Sequence, residues 1–210
     1  MTTRREFLQV SLTASALPIA VAFATPAGLP ATGREAIDMA VFDERFSDSV
    51  RFAKQLERFG VASRSIRGDM TGLWVNTLEP RWSRRPVPIA GLTRHGPLFC
   101  LERLAWDYGM RVIFRGEHVQ TADARIQHSI KGPVGVVGPE LIFAADRIGW
   151  ADLLASLVVR CHVGPATSSK ICWGSRGPIS DLEIEPLFSW VIAPVSGRSN
   201  FRSPDGAVGA

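Results

Sequence analysis

Several things are missing from this 210-residue chain, and each absence removes a class of protein. There is no Gly-x-Ser-x-Gly elbow, no His-Glu-x-x-His, no Cys-x-x-Cys, no haem-attachment Cys-x-x-Cys-His and no Walker loop, so the motif-defined forms of those enzymes are excluded, though not the chemistries themselves. Gly132, Gly135 and Gly138 have the wrong spacing for a dinucleotide fingerprint, and no capped helix follows them directly. The apolar run from Val10 to Ala24 is about fifteen residues, is diluted by Ser11, Thr13, Ser15 and Pro18, and falls short of the roughly twenty that cross a bilayer. No permanent membrane anchor is therefore expected. No internal repeat is present.

Lysine is scarce, with three lysines against 21 arginines, and the net charge is a mild +4. Planar guanidinium groups suit bidentate recognition of carboxylates or phosphates, although a coding bias would produce the same excess. The basic cluster Arg81-Trp82-Ser83-Arg84-Arg85 lies between Pro80 and Pro86 and reads as a solvated loop. It is too short to form a nucleic-acid surface, and no nucleic-acid partner is expected. Of the three cysteines, Cys161 and Cys172 could close a small disulfide loop in an oxidising compartment. Cys100, within Leu98-Phe99-Cys100-Leu101, reads as a small buried hydrophobe.

What is present begins at the amino terminus, with Thr3-Arg4-Arg5-Glu6-Phe7-Leu8-Gln9, the mild apolar run, and then Thr25-Pro26-Ala27. This order resembles the twin-arginine (Tat) signal-peptide family: Arg4 and Arg5 follow a Thr, Phe7 and Leu8 follow one residue later, and only Gln9 departs from the usual Lys. Two Ala-x-Ala-like cleavage sites fall at Ala22 to Ala24 and Thr25 to Ala27. The resemblance covers residues 1–27. It implies passage through the Tat translocase, a periplasmic location and a cargo folded before export, often around a cofactor that the sequence does not identify. The remaining 183 residues would carry a charge of +3 and suffice for one domain without staples.

Residues 28–195 are expected to form a single α/β domain, and 196–210, rich in Gly, Ser and charge, a disordered tail. Strands are expected at Ala36 to Phe42, Val61 to Ile66, Val87 to Thr93 and Met110 to Phe114. Between them, helices are expected over Ser47 to Phe59, around Leu73 to Leu78 with an end near Pro80, and from Pro97 to Tyr108. That alternation predicts βαβ crossovers in a mainly parallel three-layer sheet, Rossmann-like or flavodoxin-like, with helices on both faces. Further along, Ala124 to Ile130 reads as a strand, Asp146 to Cys161 as a long helix, and Asp181 to Val195 contains one more apolar strand.

Open parallel sheets bind ligands at the carboxyl ends of their strands. The expected strands end in Asp43-Glu44-Arg45, Arg67-Gly68-Asp69, Thr93-Arg94-His95-Gly96 and Arg115-Gly116-Glu117-His118. Convergence of these loops would build a pocket from Asp43, Asp69, Thr93, His95 and His118. Arg67, Arg94 or Arg115 would hold a small anionic ligand there, and His95 or His118 would act as general acid or base. The bland alternative is that these are solvated loop ends. A metal could use Asp43, Asp69, His95 and His118, or Cys161-His162 with Cys172, but neither set has diagnostic spacing. Whether the chain is an enzyme stays open. The rival function is that of a non-catalytic accessory or interaction protein for an exported redox enzyme. It would use exposed tryptophans, with Trp82 and Trp173 expected in loops and Trp74, Trp106, Trp150 and Trp190 expected in the core.

Overall fold

A computed structural model of the protein describes residues 36–123, 125–139, 141, 148–161, 167–176 and 185–195. The signal segment (1–27), the tail (196–210) and His162 lie outside the described residues.

The chain runs β1 (Met39–Asp43), α1 (Ser47–Arg58), β2 (Ala62–Ile66), α2 (Thr71–Leu73), a π-helical turn (Trp74–Leu78), α3 (Glu79–Arg84), β3 (Ile89–Thr93), α4 (His95–Asp107), β4 (Met110–Gln120), β5 (Arg125–Pro133), α5 (Trp150–Val158), β6 (Ser168–Arg176) and β7 (Leu187–Pro194). The strands form one seven-stranded sheet in the order β2-β1-β3-β7-β4-β5-β6.

The expected mainly parallel Rossmann-like or flavodoxin-like sheet is not what forms. Only β1–β2 and β1–β3 pair in parallel, whereas β3–β7, β7–β4, β4–β5 and β5–β6 are all antiparallel. The cause is β7. It is an apolar run buried at seven of its eight positions, the pattern of a strand covered on both faces, and it inserts between β3 and β4. Beyond β4 the chain then folds back as an antiparallel meander.

Two apolar layers flank the sheet. One packs α1 and α5 through Phe52, Leu56, Leu154 and Leu157 against Ala40, Leu92, Phe114 and Val191. The other packs the π turn, α3 and α4 through Leu78, Trp82, Leu98 and Leu101 against Val41, Ile89, Trp190 and Ile192. Each fully buried side chain of this size stabilises the fold by roughly 1.5–3 kcal/mol.

The helical segment does not stop at Pro80 but continues to Arg84. Proline supplies no N–H and clashes with a carbonyl four residues back. Here the wide turn just upstream, closed by Glu79 N–H to Trp74 O, shifts those carbonyls, and Pro80 falls in the first turn of α3. Trp82 is consequently in the core, fully buried beside Trp74 and Tyr108 with ring centroids 5.9 Å from each, and not in an exposed loop. Trp173 is likewise buried, on β6, whereas Trp106 is 42% exposed. Cys100 is exposed on α4.

All three cysteines are free, so the disulfide expected between Cys161 and Cys172 is not formed. Cys161 is enclosed at the end of α5, and burial pushes its thiol up to about 12, while Cys172 is exposed on the edge strand β6.

The join between β3 and β7 is made by Trp190, paired in register with Gly91. A Cβ at position 91 would overlap the indole and the Val41 carbonyl, so only glycine lets β7 lie flat there. Gly91→Ala is expected to cost about 2–3 kcal/mol of stability in urea unfolding. An unchanged midpoint would mean that Trp190 does not occupy that space.

Candidate functional site

Strands β1, β2 and β3 leave the sheet at one edge, and their following loops meet there. The connection after β1 runs towards β2 and the connection after β3 runs the opposite way, so β1 and β3 flank the switch point at which open sheets leave a crevice. A cleft of about 610 Å³ lies at this edge, lined by Arg45, Arg67, Gly68, Asp69, Arg94, His95, Gly96 and Pro97, with Glu185 and Pro186 from the approach to β7.

Four of the residues expected from sequence, Arg67, Asp69, Arg94 and His95, are thus brought together from two loops. Asp43 lies just beneath, fully buried, and its carboxylate accepts from Arg45 Nε at 2.9 Å and Arg45 Nη2 at 2.6 Å. Asp43 therefore orients Arg45 and is not open to a ligand. Gly68, at φ +83°, passes its backbone so close under the Arg45 guanidinium that a Cβ would strike it. The Arg45 and Arg94 guanidiniums both lie over the buried Phe46 ring, at 5.6 and 5.0 Å from its centroid. Arg94 also pairs with Glu185 at 2.8 Å, and the exposed Arg67 with Glu44 at 2.8 Å. Asp69 accepts the Thr71 N–H at 2.8 Å, which holds its carboxyl below the usual range. His95 is exposed, its ring 5.3 Å from Phe188 and 6.0 Å from Phe99. His95, Gly96 and Pro97 of the first turn of α4 line the cleft, so the positive end of that helix faces it.

Thr93, Arg115 and His118 go elsewhere. Thr93 is buried and accepts the Trp190 Nε1–H at 3.1 Å. Arg115 pairs with Glu102 of α4 at 2.5 Å. The residues expected to be a loop after the fourth strand instead belong to β4, which continues to Gln120. A bulge between Val112 and Phe114 shifts its register, and Met110 and Val112 pack on the α4 side while Phe114 packs on the α1 side. His118 follows Phe114 to the face opposite α4.

There His118 joins a buried polar chain that sequence reasoning did not foresee. His118 Nδ1 lies 2.8 Å from His128 Nδ1, His118 Nε2 lies 2.9 Å from Ser189 Oγ, and His128 Nε2 lies 2.8 Å from Ser175 Oγ. Trp150 covers both imidazoles and Trp173 stacks on His128 at 4.8 Å. The available signal was the ten-residue separation of His118 and His128, which a tight hairpin places opposite each other. The metal set Asp43, Asp69, His95 and His118 is not assembled. Among the described residues no group of three or more His, Cys, Asp or Glu could hold an ion.

Comparison with known protein families, with curated proteins and with solved structures finds no match. The chemistry must be argued from the cleft itself. Its guanidiniums are mounted on an aromatic ring and a fixed carboxylate, and two of their partners, Glu44 and Glu185, are solvent-exposed acids that an incoming anion could replace.

The imidazole pair makes stability depend on acidity. Burial, joined for His118 by the neighbouring imidazole, lowers His118 well below its ordinary 6.5, and burial lowers His128 to about 4. Below about pH 6.5 the unfolded chain takes up protons that the folded chain does not. Stability complete above that pH is therefore lost as the pH falls towards about 4, at about 1.4 kcal/mol per pH unit for each imidazole. Asp48, buried in the first turn of α1, acts in the opposite sense. Burial pushes its carboxyl up to about 6, so the folded chain keeps this proton while the unfolded chain loses it near 3.8. Two losses against one gain leave a net loss on acidification. The urea midpoint should fall between pH 7 and pH 5, and more steeply in Asp48→Asn. A flat profile would show that the imidazoles charge in place.

Proposed function

We infer that the chain is exported in folded form by the Tat route to the periplasm, where it binds a small anionic ligand at the carboxyl edge of β1 and β3. The observation that carries the binding reading is the cleft, where Arg45, Arg67, Arg94, His95 and the first turn of α4 converge. A compact carboxylate or phosphate group suits it, because guanidinium edges and a helix amino terminus both donate to planar or tetrahedral oxyanions. His95 is the imidazole lining the cleft and supplies its proton-transfer group. The export reading rests on Arg4, Arg5, Phe7 and Leu8 and the apolar run behind them.

Calorimetric titration with inorganic phosphate and with succinate tests the binding reading. At least one probe should bind, and Arg94→Gln should weaken it about tenfold or more, the loss of one charge-assisted contact. Arg115→Gln, remote from the cleft, should leave binding intact. Absence of heat with both probes, or equal sensitivity to the two substitutions, would refute the assignment. For export, replacing Arg4 and Arg5 together by Lys should retain the protein in the cytoplasm; unchanged periplasmic accumulation would discard the Tat reading.

A further inference from the structure

The outward face of α4 carries a continuous ladder of rings and guanidiniums. Phe99 and Trp106 are 46% and 42% exposed, at positions i and i+7, with Arg103 between them at i+4. The Arg103 guanidinium lies 5.2 Å from the Phe99 centroid and 4.3 Å from that of Trp106, and Arg111, at the start of β4, reaches Trp106 at 5.5 Å. His95 stacks on Phe99 at an interplanar angle of 29°, so the ladder starts at the cleft mouth and extends about 17 Å along the helix by its rise of ~1.5 Å per residue.

Neither exposed ring contributes to the buried clusters, and an aromatic stripe left in water marks a contact surface. Arg103 makes no ion pair among the described residues, whereas Glu102, its neighbour on the helix, is taken by Arg115. The stripe is therefore apolar and cationic together. Contact with the rings restrains both guanidiniums, which reduces the ordering cost of a bidentate contact. Arg111 Nη1 also donates to the Met110 carbonyl at 2.7 Å, while Arg103 has no such partner among the described residues.

The geometry points to a docking face for an extended acidic segment of a partner protein, with aliphatic side chains against Phe99 and Trp106 and carboxylates on Arg103 and Arg111. The length of the stripe exceeds a metabolite-sized ligand and suits a strand of peptide. Single-stranded nucleic acid fits less well, because bases need open ring faces and guanidiniums already lie over these. An anionic membrane fits less well too, since the exposed rings form a single row along one helix, the width of a peptide strand and not of a bilayer surface. Apart from His95, which lies where the two meet, this surface is separate from the small-anion cleft and does not require that reading to hold.

Fluorescence anisotropy on the full chain, with a labelled hexapeptide alternating Glu and Leu, tests the assignment. Binding should weaken about tenfold in Arg103→Gln and in Trp106→Ala, and Arg103→Glu should shift preference to the matching Lys–Leu peptide. Phosphate titration of the same variants should be unchanged, which shows that they are folded and separates this surface from the cleft. If wild type binds no phosphate, unchanged circular dichroism serves that purpose and the docking face is judged on the peptide alone. Equal peptide binding by all variants, no binding by wild type, or tighter binding of oligo-dT or phosphatidylglycerol vesicles through Arg103 and Trp106 would overturn the proposal.

Discussion

The arrangement of the whole sheet turns on one contact, the Trp190 indole lying over Gly91 and donating its N–H to Thr93 at 3.1 Å. An indole this large, fully buried between β3 and the helices behind it, leaves no space for a side chain at position 91. Its hydrogen bond also satisfies the polar atom that burial would otherwise strand. That contact fixes β7 beside β3, and β7 in turn gives β4 its partner. The parallel half, with the cleft at its edge, and the antiparallel half, with the imidazole chain inside it, are thus two sheets made into one by a single strand.

The local elements of the first half were legible because amphipathic helices and apolar strands have different periods. The expected β1 to β3 and the helices around α1 and α4 agree with the structure to within a few residues, whereas β4 starts at the expected Met110 but runs six residues past Phe114. Adjacency was not legible, since nothing in Leu187 to Pro194 says which strands it will separate. The cleft was legible in part for the same reason. Arg67, Asp69, Arg94 and His95 follow strands whose direction the crossover rhythm establishes, so their convergence needed only that direction. His118 failed because Gly116 and the charged residues around it imitate a turn, while the bulge that reverses the facing of β4 has no sequence signature. Trp150 and Trp190 lie in the core as expected, but Trp82, Trp173 and Trp106 do not lie where expected, Trp173 because it belongs to β6 and the other two on helix phase. Moving the helix past Pro80 rotates Trp82 inward, and Trp106 sits on the side of α4 away from the sheet.

Hydrogen-bond arithmetic gives the imidazole chain a direction. Only one hydrogen can lie between the two Nδ1 atoms, so one imidazole donates there and accepts from its serine, and the other accepts there and donates to its serine. Either order leaves every ring nitrogen satisfied with both imidazoles neutral. A third proton can be taken only at a serine-facing nitrogen, with that hydroxyl turning round to accept. A fourth would put two N–H groups face to face, so double charging is opposed by geometry and single charging by burial. The buried pair is a polar seam whose neutral form burial favours, and it ties β7, β4, β5 and β6 together by side chains as well as by backbone.

The strand that joins the two halves is also the last element among the described residues. While the ribosome is still making residues before Leu187, β3 and β4 have no common neighbour, and neither half can cover its open edge with the other. Completion of the sheet must wait until Leu187 to Pro194 have been made, and the pairings of β7 link residues roughly 70–100 positions apart, which is the kind of topology that folds slowly. A nascent form of this protein would thus carry two exposed sheet edges for as long as its amino terminus is already available to be recognised. Under the proposed export of the folded chain, the timing of β7 would set the earliest moment of departure.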